Sequence, residues 1–125
     1  NPDGELILGL KIEDRHCVAN VDDIAQVPGI AFAEWGPGDM GMSYMQPDAH
    51  DPPYPEIMDQ AREKIKEALK KNNKVFYSSW NDLSMKPKER IKFIINELES
   101  GMIGGDDTEE MAKIGREFMG RKLPY

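Results

Sequence analysis

Two acidic residues give the strongest chemical signal in this sequence, because each follows a stretch typical of a β-strand. Glu13 ends the apolar run over residues 6–12, and Asp39 follows Ile30–Trp35 and a Gly-Pro-Gly turn. About one strand–helix–strand unit, roughly 30 residues, separates them. Successive parallel strands end at the same rim of a sheet, where α/β proteins keep their active sites. Two carboxylates at that rim predict a divalent metal site.

A lysine accompanies the first of these acids. The alternation of a strand places Lys11 and Glu13 on one face and Leu10 and Ile12 on the other. Because the run is almost continuously apolar, we expect a strand buried on both faces of a parallel sheet. In that setting Lys11 neutralises Glu13 in a buried ion pair, or it has a role toward a ligand; the pattern leaves both interpretations open.

The rest of the chain alternates between helix and strand patterns. Apolar spacing and turn residues predict helices over 15–27 (with a break near Asn20), from Pro55 to about residue 73, from Pro87, and after a capping-box-like start at Asp106. Strands are expected over 30–35 and 74–80, with a weak fourth strand over 101–105. Residues 40–55 are rich in proline and predict a long active-site loop that acts as a lid.

This order predicts an α/β fold with parallel strands and about four βα units. Right-handed crossovers place the helices outside such a sheet. Four units are half of a TIM (β/α)8 barrel, whose usual length is about 250 residues. We therefore expect residues 1–125 to form a single partial barrel domain. The start at Asn1, which leads almost at once into a strand, is expected to be a cut edge.

Composition excludes several classes of function. The net charge of −7 disfavours nucleic acid and anionic membranes as partners, since both require a basic surface. No apolar run approaches the ~20 residues of a membrane-spanning helix. The single cysteine, Cys17, fits a reducing cytoplasm and is expected to pack as a small hydrophobic residue.

Three segments resemble the HpcH/HpaI aldolase/citrate lyase family. They are Lys-Ile-Glu-Asp-Arg around Glu13, the stretch over 20–30 that ends in Val-Pro-Gly-Ile, and Gly-Pro-Gly-Asp-Met-Gly-Met-Ser over 36–43. The three occur in the family's order and at its spacing. The resemblance implies the C-terminal half of a TIM barrel from a metal-dependent (class II) pyruvate aldolase, an enzyme that cleaves 4-hydroxy-2-oxo acids through a pyruvate enolate.

The resemblance also implies roles for particular residues. Glu13 and Asp39 would be the two protein ligands of Mg²⁺ or Mn²⁺, with Co²⁺ as a further candidate. The backbone amides of Gly38 and Asp39 would hold the substrate carboxylate. Lys11 stands where members often carry a substrate-contacting glutamine, so it would bind substrate and act in catalysis. The family's substrate-binding arginine and proton-transferring histidine lie upstream, so we expect this chain alone to be inactive or nearly so.

A non-enzymatic function is the alternative. A half-barrel has unpaired sheet edges and an uncovered inner face, which favour association. The chain would then be a metal-binding or self-assembling module, and in either case we expect a homo-oligomer formed through the exposed half-barrel edges. The expected small-molecule partner of the enzyme is a 2-oxo acid.

Overall fold

A computed structural model describes residues 6–104 and 108–122. Within them the chain alternates between strands and helices, with the following bounds: β1 Leu8–Ile12, α1 Arg15–Ala19, α2 Val21–Gln26, β2 Ile30–Trp35, α3 Pro37–Ser43, α4 Glu56–Lys71, β3 Val75–Ser78, α5 Pro87–Asn96 and α6 Thr108–Phe118.

The strands form one parallel sheet in the order β1-β2-β3. A single parallel bridge between Tyr77 and Met102 continues the sheet beyond β3. The expected fourth strand over 101–105 is therefore reduced to one bridge, and its last residue lies outside the described residues, as does the capping position at Asp106. The prediction of an α/β fold with parallel strands is confirmed.

One face of the sheet is covered by helices and holds the core. Trp35 and Ile65 are fully buried there, as are Met58 and Leu69 from the same face of α4. Arg62 also lies on this face, where its guanidinium stacks over the Trp35 ring at 5.4 Å and pairs with Asp59 at 2.6 Å. The helical spacing of the apolar residues in α4 thus determines which side of this helix packs against the sheet.

The predicted break in the first helix is confirmed. Asp14 caps α1, because its carboxylate accepts hydrogen bonds from the backbone N–H groups of His16 (2.7 Å) and Cys17 (2.9 Å). Asn20 lies between α1 and α2 and belongs to neither. Val18 and Val21, on either side of the break, are both buried. The break lets two short helices pack separately onto α4.

The expectation that β1 is buried on both faces is wrong. Ile12 is buried, but Ile7 is 77% exposed and Leu8 is 56% exposed. Strand β1 has a neighbour on one side, β2, and helices cover one of its faces. Nothing in the described chain covers the other face, which in a closed barrel would point to the interior.

The expected loop over 40–55 begins later than predicted. Residues up to Ser43 belong to α3, which starts with Pro37 in its first turn and continues through Met40. Met40 is fully buried, so packing against the core stabilises a helix that its glycines disfavour. The irregular segment therefore runs from Tyr44 to Pro55, and Pro55 caps α4 instead of opening it.

The last two helices pack against each other after β3. Pro87 occupies the first turn of α5, because the fixed φ of proline matches the helical value at this position. Ile91 and Ile94 of α5 and Met111 of α6 are buried. None of the helices within the described ranges is both long and apolar enough to span a lipid bilayer.

Candidate active site at the carboxyl end of the sheet

The register of β1 and β2 brings a lysine and a glutamate opposite each other. Lys11 pairs with Glu34, and the next residues, Ile12 and Trp35, also pair. Because strand residues alternate between faces, Lys11 and Glu34 share the face opposite the helix-covered core. The Lys11 side chain is 61% exposed, whereas Ile12 and Trp35 are buried. The open face of the sheet thus carries charge at its carboxyl end.

Glu13 directly follows β1 and belongs to the same charged group. Its Oε1 lies 3.0 Å from the Lys11 Nζ, and its side chain is 20% exposed. The ion pair between Lys11 and Glu13 is therefore formed, but Lys11 is exposed, unlike in the buried ion pair that is one of the two interpretations left open by the sequence. The Glu13 carboxylate also packs against Gly36, where any side chain would collide with Oε1.

Asp39 lies in the first turn of α3, just beyond the end of β2. Its side chain is exposed, and within the described part of the chain it forms no ion pair or side-chain hydrogen bond. It still acts on the group, because its negative charge is one of those that Lys11 experiences. Both predicted carboxylates therefore lie at the same rim, Glu13 just after β1 and Asp39 just beyond the adjacent strand β2, with Lys11 near the end of β1.

The surrounding acids keep Lys11 protonated. The hydrogen bond to Glu13 raises the pKa of Lys11 above its ordinary value, and the charges of Glu34, Glu13 and Asp39 raise it further, while burial acts in the opposite direction. Lys11 is therefore an ammonium ion across the neutral pH range. It can neutralise an anion or donate hydrogen bonds, but it is a poor base and a poor nucleophile there.

Ser79 also contacts this group of charged side chains at the rim, which the sequence patterns did not indicate. The Ser79 hydroxyl donates a short hydrogen bond to Glu34 Oε1, and the Ser79 N–H continues the sheet pairing by donating to the Trp35 carbonyl at 3.1 Å. Glu34 pairs with Tyr77, so Ser79, two residues further on, lies on the same face. The register of β2 and β3, which local patterns do not specify, is the signal that would have found it.

Gly38 occupies the second position of α3 and is exposed. The first N–H groups of a helix have no partner within the helix, so the amides of Gly38 and Asp39 are of the kind that can bind a ligand. A side chain at Gly38 would meet nothing within 4 Å.

The proline-rich segment over residues 44–55 packs, through Tyr54, on the helix-covered face of the sheet. Tyr54 packs edge-on against Trp35, with ring centroids 5.1 Å apart. An open surface cavity of about 450 Å³ lies within the segment and is lined by residues from Gln46 to Pro55. Lys11, Glu13 and Asp39 do not line it, so the role of the segment as a lid stays a prediction.

Two hard carboxylate donors suit a divalent cation. Mg²⁺ and similar ions commonly take one or two carboxylates and complete their coordination with water and substrate oxygens. Glu13 and Asp39 are of this type, and the absence of a side chain at Gly36 lets the Glu13 carboxylate lie beside the start of α3. Across the described ranges, no group of three or more His, Cys, Asp or Glu side chains is placed to hold a metal ion.

Solved structures share this arrangement of elements. A citrate lyase from Burkholderia xenovorans LB400 superposes with a TM-score of 0.74 at 19% identity, over 93% of this chain and 39% of that one. An HpcH/HpaI aldolase/citrate lyase family protein from Burkholderia cenocepacia J2315 gives a TM-score of 0.64 at 16% identity, over 93% and 42% of the two chains. The chain has the citrate lyase fold.

The citrate synthase SbnG also has this fold, with a TM-score of 0.61 at 20% identity over 91% of this chain and 44% of its own. The present chain thus spans well under half of these TIM-barrel proteins, in agreement with a half-barrel. Neither a protein-family model nor a curated protein matches the sequence. At identities of 16–20%, these comparisons establish the citrate lyase fold only. An activity must be argued from the residues at the rim.

Proposed function

We propose that this chain is the C-terminal part of a divalent-metal-dependent lyase that cleaves 4-hydroxy-2-oxo acids through a pyruvate enolate. The observation that carries the proposal is the position of Glu13 just after β1 and of Asp39 just beyond the adjacent parallel strand β2, with the charges of both acting on Lys11, in a half-barrel with the citrate lyase fold. Each of these residues also lies in a segment that resembles the HpcH/HpaI family.

Each rim residue has a chemical task in this proposal. The carboxylates of Glu13 and Asp39 hold the cation, Mg²⁺ or Mn²⁺. When bound, such an ion supplies Lewis-acid stabilisation of the negative charge that develops on the oxygens of a 2-oxo acid. The amides of Gly38 and Asp39 bind the substrate carboxylate. The Lys11 ammonium contacts a substrate oxygen and stabilises its charge, which suits a lysine held in the protonated form.

The activity of the whole protein requires more than these residues. The chain covers 39–44% of the structures that it resembles. A closed barrel surrounds its substrate with loops from all eight strands. We therefore expect the chain by itself to bind the cation and to turn over substrate slowly or not at all.

Oxaloacetate decarboxylation with and without Mn²⁺ tests the proposal, because this 2-oxo acid also yields a pyruvate enolate when its bond to C4 breaks. Mn²⁺-dependent turnover that Glu13→Gln abolishes supports the enzyme. Glu67→Gln, which alters an exposed carboxylate on α4, is the control. Turnover that exceeds the rate with free Mn²⁺ alone, and that is unchanged by Glu13→Gln, contradicts the assignment of the rim.

The second candidate is a non-catalytic half-barrel that binds metal or assembles with itself. The exposed apolar residues at the open edge and face of the sheet favour it: Ile7 is 77% exposed, Leu8 56% and Val75 42%. Mn²⁺ binding without turnover, even when the complementary half of a barrel is supplied, would support this candidate over the enzyme.

A further inference from the structure

Among the described residues, three carboxylates act on the Lys11 ammonium at the rim. They belong to Glu13, Glu34 and Asp39. Within the described residues, Lys11 is the partner in the one ion pair that Glu13 forms. Glu34, in contrast, is engaged by the Ser79 hydroxyl. Lys11 is thus the cation that this chain itself supplies to the proposed metal ligand.

A divalent ion at Glu13 would meet Lys11 at close range. The Lys11 Nζ lies 3.0 Å from Glu13 Oε1, which is a direct, charge-assisted contact. A metal ligated by the same carboxylate would lie within a few ångströms of the ammonium, where like charges repel strongly even near a protein surface. Either the ammonium moves away or the metal binds more weakly.

The Lys11 side chain has room to move. It is 61% exposed, whereas Glu13 is 20% exposed and is confined on one side by Gly36. The mobile partner of the pair is therefore the lysine, on a flexible stem that can carry the ammonium into solvent. The carboxylate stays against Gly36, which caps α3, the helix whose first turn contains Asp39.

We propose that Lys11 is a built-in competitor for the metal: its ammonium occupies the Glu13 carboxylate in the metal-free form and must be displaced when a divalent cation binds. This inference rests on the proposed function, because it takes Glu13 as a metal ligand. It makes Lys11 the residue that sets metal affinity and links metal binding to the release of an ammonium that can then meet an anionic substrate.

Metal binding by the chain itself is the test, measured as the Mn²⁺ dissociation constant by isothermal titration calorimetry and by the electron paramagnetic resonance signal of free Mn²⁺. Lys11→Gln removes the charge and keeps a polar side chain of similar length. We expect it to bind Mn²⁺ about tenfold or more tightly than the parent, the scale of a screened repulsion between a divalent ion and a nearby ammonium.

Two further variants are the controls. Lys11→Arg keeps the positive charge and should retain the affinity of the parent. Lys113→Gln removes one charge from an exposed position on α6, so it changes the net charge equally without touching the rim. Circular dichroism and thermal melting of each variant confirm that it is folded.

The outcomes separate this inference from the proposed function. Tighter binding in Lys11→Gln alone supports competition. If the parent binds Mn²⁺ through Glu13 and Lys11→Gln binds equally or more weakly, the inference is overturned while the metal site stands. If neither the parent nor Lys11→Gln binds Mn²⁺, both the inference and the metal-dependent function are wrong.

Discussion

The carboxylate of Glu13 packs against Gly36, so the residue that follows β1 is positioned by the residue that follows β2. A methyl group at position 36 would occupy the place of Glu13 Oε1. The backbone at Gly36 is extended, with φ −107° and ψ 117°, a conformation open to any residue. The glycine is therefore required for the close approach of the carboxylate and not for its backbone angles.

Gly36→Ala is predicted to displace the Glu13 carboxylate and to weaken Mn²⁺ binding roughly tenfold, at the low end of the cost of disturbing the groups that orient a metal ligand. The fold should tolerate the change, because the group that must move is the end of a flexible side chain. Titration calorimetry measures the affinity, and thermal unfolding measures the stability.

Gly38→Ala is the matched control for that substitution. It lies in the same Gly-Pro-Gly segment, but a methyl group there would meet nothing within 4 Å. Its Mn²⁺ affinity should equal that of the parent. Equal losses in both alanine variants would contradict the view that the contact between Gly36 and Glu13 orients the carboxylate.

Cys17 is predicted to react slowly with thiol reagents. A hydrogen bond to Asp14, burial, and the negative charge of Asp14 raise the pKa of the Cys17 thiol to about 11 from an ordinary value of 9.0. At pH 8 the thiolate fraction is then about a hundredfold below that of an unperturbed cysteine. The rate of alkylation by iodoacetamide, followed against pH, measures this.

Asp14→Asn tests the cause of the Cys17 shift. Asparagine caps helices as well as aspartate does, so α1 should persist. Loss of the negative charge should lower the thiol pKa, so alkylation at pH 8 should accelerate. An unchanged pH profile in Asp14→Asn would show that Asp14 does not control the thiol.

Self-association is predicted through the open edge of the sheet. Ile7 is 77% exposed beside β1, and burying an isoleucine contributes roughly 1.5–3 kcal/mol. Ile7→Lys should therefore weaken association about tenfold or more, as measured by sedimentation velocity over a range of concentrations. Leu83→Lys, at a residue 75% exposed but remote from β1 in sequence, should leave association unchanged. A parent chain that stays monomeric at every concentration contradicts the prediction.

Local patterns predicted the elements whose signals are contained in short segments. The apolar stripe and closing lysines of α4 gave its extent to within a residue or two, and the polar residues around Asn20 indicated the break between α1 and α2. The two carboxylates at strand ends followed from the same order of elements, because strand ends in a parallel sheet share one rim. These predictions needed no knowledge of distant contacts.

The features that were predicted wrongly or missed depend on contacts between residues far apart in the sequence, which local patterns do not indicate. Helix α3 includes two glycines after Pro37, and the burial of Met40 in the core stabilises it. The exposure of Ile7 and Leu8 reflects an edge strand with one uncovered face, which an apolar run cannot reveal. The hydrogen bond from Ser79 to Glu34 joins residues on different strands, and only the register between β2 and β3 places them together.

We propose that Glu13 and Asp39 hold one divalent cation together. Calorimetric titration of Mn²⁺ into the parent, Glu13→Gln, Asp39→Asn and the double variant tests it most directly. We predict one ion per parent chain, severe loss of binding in each single variant, and little further loss in the double variant, since ligands of one ion are coupled. The Glu67→Gln control should bind Mn²⁺ as the parent does. Mn²⁺ binding that persists in the double variant would contradict the ligation of one ion by Glu13 and Asp39.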